Sequence, residues 1–560
     1  MSDLTFDEAC AQATGPGQIF EIGEADVRGH TQRVFVNAPG SLRDLFAGIA
    51  LRGDETFLVY EDERLSFGEV SQLIGATGAM LVERYGVQPG DRVAIAMRNY
   101  PEWIVAFAAI TSIGAISVSF NSWWVEDEVT YALEDCAPKV AIVDEPRMQT
   151  ALAGAAKTGT KLVVVREQGP LPEGVDRWDD VLDRSKPLPD VAIDTDHDAT
   201  ILYTSGTTGR PKGAVSTHRA VVSAVMAFGC RSTVDGMRGS KADADTVDPN
   251  RPRASFILAV PLFHVTGCVA VMLSCVLGGL KLVIMHKWDA ERALQLIERE
   301  KIAAFVGVPT QSWDLVQHPK RDQYDTSSLR RITGGGAPAP PALVEQVSTS
   351  FKSGDPGLGY GMTETNAYGA QIAGADYLEH PTSTGRVVPV VQIEIRGPNG
   401  VALPAGSTGD IWFTGPNLFR GYWNKPEATA EAIVDGWLTT GDIGRLDDEG
   451  FLYIEDRAKD MILRGGENVY GAEVEAAIYE HPAVYEAAVF GVPHDRLGEE
   501  VAAAIYPRPG TDVNPAELVE FLKEHLAGFK IPTHVIITEE PLPRNAAGKF
   551  LKRELRDLVD

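Results

Sequence analysis

The sequence predicts an α/β protein with a large multi-layer N-terminal domain of parallel sheets and a β-rich subdomain, followed by a small α+β C-terminal domain. Three observations predict it. At 560 residues the chain is too long for one ordinary core. From Ser41 to about Arg386, apolar strand-like runs alternate with helical periods, the pattern of parallel strands covered by helices. Past Arg386 the rhythm shifts to short alternating strands, and from Asp460 to a compact mixture of strands and helices.

Residues up to about Asn37 hold no sustained period and read as an arm, residues 1–40, lying on a main domain of residues 41–458. In that domain Gly68 to Tyr85 is helical in period, Arg92 to Met97 is an apolar strand, and Pro101 to Ile113 is a helix that Pro opens. Val140 to Val143 is a further strand, His218 to Phe228 a helix, Arg238 to Arg253 a charged surface loop, and Ser255 to Val260 a strand. Val265 to Leu277 carries no charge, yet it is shorter than the roughly 20 residues a membrane span needs, and Gly278-Gly279 stops it. It predicts a buried helix feeding the strand Leu282 to Met285. Asp289 caps a helix running to Lys301, Ile302 to Val306 is a strand, and Ala342 to Phe351 a helix. The later strands are Val391 to Ile395, Gly409 to Phe413 and Phe451 to Ile454. Residues 459–560 form the last domain, with helices near Ala472 to Tyr479 and Pro515 to His525 and strands near Val484 to Phe490 and Val501 to Tyr506.

A formal net charge of −27 argues against a nucleic-acid or anionic-membrane partner, because such surfaces repel it. A polyanionic ligand must then be met by local Lys and Arg. Cys10, Cys136, Cys230, Cys268 and Cys275 have no metal-ligand spacing, and their odd number suits the reduced thiols of a cytosol. The first residues lack the basic start and apolar run of a signal peptide. No transmembrane segment is predicted, and the expected location is cytoplasmic.

The run Tyr203-Thr204-Ser205-Gly206-Thr207-Thr208-Gly209-Arg210-Pro211-Lys212-Gly213 joins hydroxyls, glycines and two cations behind an apolar strand. It reads as a phosphate grip, since glycines let backbone N–H groups approach a polyphosphate closely. It is not the common nucleoside-triphosphate loop, because Lys212 is followed by Gly213 rather than Ser or Thr. In Gly359-Tyr360-Gly361-Met362-Thr363-Glu364-Thr365, Tyr360 can stack a purine, Thr363 can bond a phosphate, and Glu364 can hold a hard cation bridging phosphate oxygens.

These two strings resemble the two signatures of the acyl-adenylate-forming superfamily, in its acyl-CoA synthetase branch. Five further segments stand in that family's arrangement: Gly334-Gly335-Gly336-Ala337-Pro338, Thr439-Thr440-Gly441-Asp442, Asp456-Arg457-Ala458-Lys459-Asp460, Gly465-Gly466-Glu467-Asn468, and Pro543-Arg544-Asn545-Ala546-Ala547-Gly548-Lys549. The resemblance implies a nucleotide site of Thr204, Ser205, Gly206, Thr207, Thr208, Gly209, Lys212, Gly335, Gly336, Ala337, Tyr360, Gly361, Met362, Thr363, Glu364, Asp442 and Arg457, with Asp442 on the ribose hydroxyls. Thr204 and Glu364 are the implied Mg2+ ligands. It implies catalytic roles for Lys549, Thr204, Glu364 and His264, a hinge at Lys459 that makes the C-terminal domain mobile, and a CoA-transfer loop of Arg464, Gly465, Gly466 and Glu467. The implied reaction has two steps. A carboxylate attacks the α-phosphorus of ATP to give acyl-AMP and pyrophosphate, then the thiol of coenzyme A displaces AMP.

The resemblance implies an acyl pocket at His264, Val265, Gly307, Val308 and Thr310. His264 reads equally as a bonded core residue or as a group that shapes the pocket. No carboxylate stands there to pair with an amino-acid ammonium, and the neighbouring runs are apolar, so the expected substrate is a medium- or long-chain fatty acid, with aryl or polycyclic carboxylates second. The expected partners are ATP, coenzyme A and this small carboxylate. An acyl-AMP ligase loading a separate carrier protein and an inactive binding homologue are the rival readings. The oligomeric state stays open, a homodimer included.

Overall fold

The computed structural model describes residues 4–204, 210–239, 254–336, 339–457, 460–464, 467–494, 496–545 and 548–559. Two eight-stranded sheets form its large part. In one, the strands Arg92–Ala96, Ile116–Ser119, Val140–Asp144, Lys161–Val165 and Val175–Arg177 run parallel. Their near-continuous Val, Ile and Ala content is that of strands covered on both faces. Strand Asp198–Thr204 joins parallel to Ile116–Ser119 and then turns back as Lys212–Thr217, so this edge of the sheet is an antiparallel hairpin.

In the second sheet Thr56–Tyr60, Lys281–Ile284, Ser255–Leu258, Ala304–Gly307, Arg331–Gly335 and Asp355–Gly359 are parallel neighbours in that order. The register aligns Gly307 with Gly334 and Gly335 with Gly359. Three adjacent strands thus end in glycine at one carboxyl edge, the place where open α/β sheets bind ligands. Asn99 ties the two sheets together: its amide donates to the carbonyls of Val260 at 3.0 Å and Met285 at 3.3 Å and accepts from Leu262 N–H at 2.9 Å. A five-stranded antiparallel sheet built on Gln392–Arg396, Gly409–Thr414 and Trp437–Leu446 follows, and a second five-stranded sheet carries the C-terminal part.

The helices fall near their expected places, with caps that explain their starts. Asp289 accepts from Arg292 N–H ahead of Ala290–Glu300, and Lys301 ends that helix in the left-handed conformation. Two expectations are corrected. The arm holds regular structure despite its lack of a sustained period: it forms helix Phe6–Thr14, capped by Thr5 and Glu8, and the hairpin Ile22–Val27/His30–Phe35. Each piece is too short to carry a readable period. The helix expected to stop at Phe228 runs from His218 to Met237. Gly229 lies inside it, where a Cβ would come within 3.2 Å of the Phe20 ring, so this glycine admits the arm and does not end the helix. The loop expected at Arg238 to Arg253 lies, from residue 240 onward, outside the described residues.

The uncharged run after His264 is buried as expected, but it winds as a π-helix over Thr266–Leu273 before closing as Ser274–Gly278. Gly267 permits it, since a Cβ there would stand 2.2 Å from the Pro261 carbonyl oxygen. Wide turns of this kind recur at functional sites, and this one begins two residues past His264. Among the described residues no helix is long and apolar enough to cross a membrane.

Candidate active site

The first motif runs between the two strands of the hairpin Asp198–Thr204/Lys212–Thr217 in the first sheet. Thr204 and Lys212 pair at the hairpin's loop end, where the Thr204 hydroxyl lies 3.3 Å from the Lys212 carbonyl oxygen. Ser205, Gly206, Thr207, Thr208 and Gly209 lie outside the described residues. The second motif leaves the glycine-edged strand of the other sheet. Gly361 passes the chain close to Ala367, whose carbonyl oxygen would lie 2.2 Å from a Cβ at that position. Thr363–Thr365 then makes one tight turn, and Asn366 and Ala367 follow with positive φ of 52° and 67°. Asn417 holds this strained turn by donating to the carbonyls of Thr365 at 3.0 Å and Tyr368 at 2.9 Å, while Asn366 donates to Asn417 O at 2.9 Å.

One residue that the sequence reading passed over joins the two motifs. Tyr422 donates its hydroxyl to Glu364 Oε1 at 2.6 Å, and the Lys212 ammonium stands 5.1 Å from the Tyr422 ring centroid. Glu364 is buried, and its backbone carbonyl accepts from Phe419 N–H at 2.8 Å. Burial and this carboxylate push the Tyr422 hydroxyl well above its ordinary range, which keeps it a donor. Gly421-Tyr422 pairs with Ala214 and Val215 at the sheet edge, so backbone pairing holds Tyr422 between the Lys212 strand and the Glu364 carboxylate.

Tyr360 donates its hydroxyl to Asp442 Oδ2 at 2.5 Å, and its ring lies 5.8 Å from that of Phe413. Asp442 N–H is held at 3.0 Å by the Thr440 hydroxyl, and across the strands Asp442 sits opposite Arg457. The expected base-stacking residue and the expected ribose carboxylate are therefore neighbours. Gly335 and Gly336 end the adjoining strand, Gly336 with φ of 77°. Ala337, Lys459, Gly465 and Gly466 lie outside the described residues. Arg464 and Glu467 face each other across a hairpin, with the Arg464 guanidinium 3.9 Å from Glu500.

The C-terminal segment reaches this same edge. Gly548, with φ of 78°, lies so close to Val308 that a Cβ would stand 3.0 Å from its methyl group. Lys549 N–H is fixed at 3.0 Å by the Asn545 side chain. The Lys549 ammonium is near enough to act on His264, whose imidazole is pushed down from 6.5 to about 4, first by burial and then by that charge. Among the described residues His264 Nε2 is buried and has no hydrogen-bond partner. Val308 caps helix Pro309–Gln317, in which Thr310 occupies the first turn.

That shift has a measurable consequence. The unfolded chain binds a proton at His264 below about 6.5, whereas the native state resists until about 4, so this contribution to stability is full above 6.5 and falls as pH drops toward 4. His218, also held down to about 4 by burial, acts in the same sense. Urea midpoints between pH 7.5 and 5 should fall, and His264→Gln should make the fall shallower.

Two eight-stranded sheets, one of them with three adjacent glycine-ended strands, a hydroxyl-bearing hairpin joined through Tyr422 to Glu364, and a C-terminal lysine segment at the glycine-ended edge define an adenylate-forming enzyme. Residues 46–423 match the AMP-binding enzyme family and residues 473–549 the AMP-binding enzyme C-terminal domain, and the chain belongs to this family, as an AMP-forming acyl-CoA synthetase. It is 35% identical over 503 residues to a long-chain-fatty-acid–CoA ligase of Mycobacterium tuberculosis, covering 89% of this chain and 93% of that one. It is 35% identical over 497 residues to a feruloyl-CoA synthase of an Amycolatopsis species, covering 88% and 93%. Among solved structures, ATP-bound MatB from Rhodopseudomonas palustris superposes with a TM-score of 0.79 at 30% identity, over 92% of this chain and 99% of that one.

Proposed function

We propose that the protein joins a hydrophobic carboxylic acid to coenzyme A through an acyl-AMP intermediate, with medium- or long-chain fatty acids as its first substrates. The observation that carries this reading is the wall around His264. From Pro261 to Leu280 and from Val306 to Trp313 the chain has no Asp or Glu, Val265 and the π-helical run are largely buried and apolar, and the one imidazole is held neutral. An amino-acid ammonium would find no counter-charge there. Residues 1–40, 41–458 and 459–560 are the proposed arm, adenylation domain and mobile C-terminal domain.

In this reading Lys212 and the backbone of the hairpin receive the polyphosphate, Tyr360 and Asp442 take the nucleoside, and Lys549 neutralises charge that builds as the carboxylate attacks the α-phosphorus. The Thr204 hydroxyl and the Glu364 carboxylate are hard oxygen ligands of the kind Mg2+ takes. Among the described residues no cluster of three His, Cys, Asp or Glu side chains could hold an ion alone. The metal would thus enter with the nucleotide, whose phosphate oxygens complete its shell, and would supply charge neutralisation.

Each methylene buried in such a pocket is worth about 0.8 kcal/mol, so kcat/KM should climb with acyl length until the pocket is full. Amino acids, dicarboxylates and acetate should be poor substrates. Pyrophosphate release measured across acids from acetate to dodecanoate, with aryl acids alongside, tests this. A flat profile, or a preference for an amino acid, would overturn the assignment of the pocket.

A further inference from the structure

One carboxylate lies at the seam between the C-terminal sheet and the large part of the molecule, and the chemistry above does not use it. Asp314 stands on helix Pro309–Gln317, which begins directly after Val308. Its Oδ2 accepts from Trp288 Nε1 at 2.8 Å, and its Oδ1 accepts from the Tyr485 hydroxyl at 2.8 Å. Trp288 packs on Phe305 within the large part. Tyr485 belongs to strand Val484–His494 of the C-terminal sheet. Beside this junction the Arg508 guanidinium lies 5.7 Å from the Trp313 ring centroid, again across the seam.

A carboxylate and a hydroxyl suit a contact that must open and close. Both are well solvated when they part, so separation exchanges one hydrogen bond for water, whereas an apolar seam of the same extent would resist exposure. Trp288 fixes the orientation of Asp314 from the large side and leaves its second oxygen aimed at Tyr485. We infer that Asp314 is a positioning residue: through Tyr485 it latches the C-terminal sheet in the arrangement that brings Lys549 beside His264, and its release accompanies the turn to thioester formation. The inference rests on the ligase reading for its second clause, and for its first on the Trp288–Asp314–Tyr485 contact.

The test uses the full chain. All five native cysteines are buried, so fluorophores can be placed on cysteines introduced at Leu51 and Leu558, which are 90% and 52% exposed. Single-molecule energy transfer then reports how the two parts are disposed. Tyr485→Phe removes the hydroxyl alone and should shift the ratio of populations on the order of tenfold, the worth of one hydrogen bond to a charged group. Asp314→Ala should produce the same shift, and the double variant little more. In parallel, pyrophosphate formation should slow in Tyr485→Phe, while thioester formation from pre-made acyl-AMP should not. Coincident transfer distributions for wild type and Tyr485→Phe would overturn the latch whatever the rates do. A wild-type protein that releases no pyrophosphate with any acid would instead sink the ligase reading and leave the transfer measurement decisive for the latch.

Discussion

Replacing Lys549 with alanine should slow acyl-AMP formation by about 10²-fold or more, the usual cost of removing one preorganised donor from a centre where charge develops. Thioester formation from pre-made acyl-AMP and coenzyme A should continue near the wild-type rate if, as proposed, the lysine serves only the first step. The structural ground is the contact of Gly548 with Val308 and the pressure of the Lys549 charge on His264, which place this side chain at the carboxyl edge of the second sheet. The two half-reactions are measured separately, by pyrophosphate release and by acyl-CoA appearance. If both fall together in a folded variant, Lys549 does not have this role.

Lys459→Pro should do the reverse. Proline fixes φ and resists the backbone change a hinge must absorb, so adenylation should persist while transfer to coenzyme A is lost almost entirely. Lys459 itself lies outside the described residues, but its flanks are informative. Asp456 accepts from Gly471 N–H at 2.5 Å, and Lys552 pairs at 2.8 Å with Glu475 close by. The Asp456–Gly471 hydrogen bond spans Lys459, so a turn at Lys459 would have to break it, while the Lys552–Glu475 pair, both members of which follow Lys459, would move as one piece. Equal rates for variant and wild type in both half-reactions would remove Lys459 as the pivot.

The parts of the molecule legible in the sequence were those fixed by local pattern. The parallel strands announce themselves as short Val, Ile and Ala runs, and Asp289 or Pro101 marks where a helix begins. The glycine ends of three neighbouring strands could be read as motifs, but not as neighbours, because register is set by pairing over long sequence distances. For the same reason Tyr422 escaped notice. Its role depends on lying beside Lys212 and Glu364, which are remote from it in the chain, and an aromatic residue next to glycine carries no signal alone. Asn99, Asn417 and Asp314 are similar: each is an ordinary polar residue whose work is to hold two remote segments together. The neutral state of His264 was also beyond the sequence, since it arises from burial and from a lysine 285 positions away.

The most direct test of the acyl-adenylate route follows the oxygen. With a dodecanoate labelled by 18O in its carboxylate, ATP, Mg2+ and coenzyme A, attack of the carboxylate on the α-phosphorus leaves one carboxylate oxygen on phosphorus when the thiol displaces AMP. Mass spectrometry should therefore find one heavy oxygen in AMP and dodecanoyl-CoA in equal amount. Unlabelled AMP, or label in inorganic phosphate with ADP as the nucleotide product, would contradict the account.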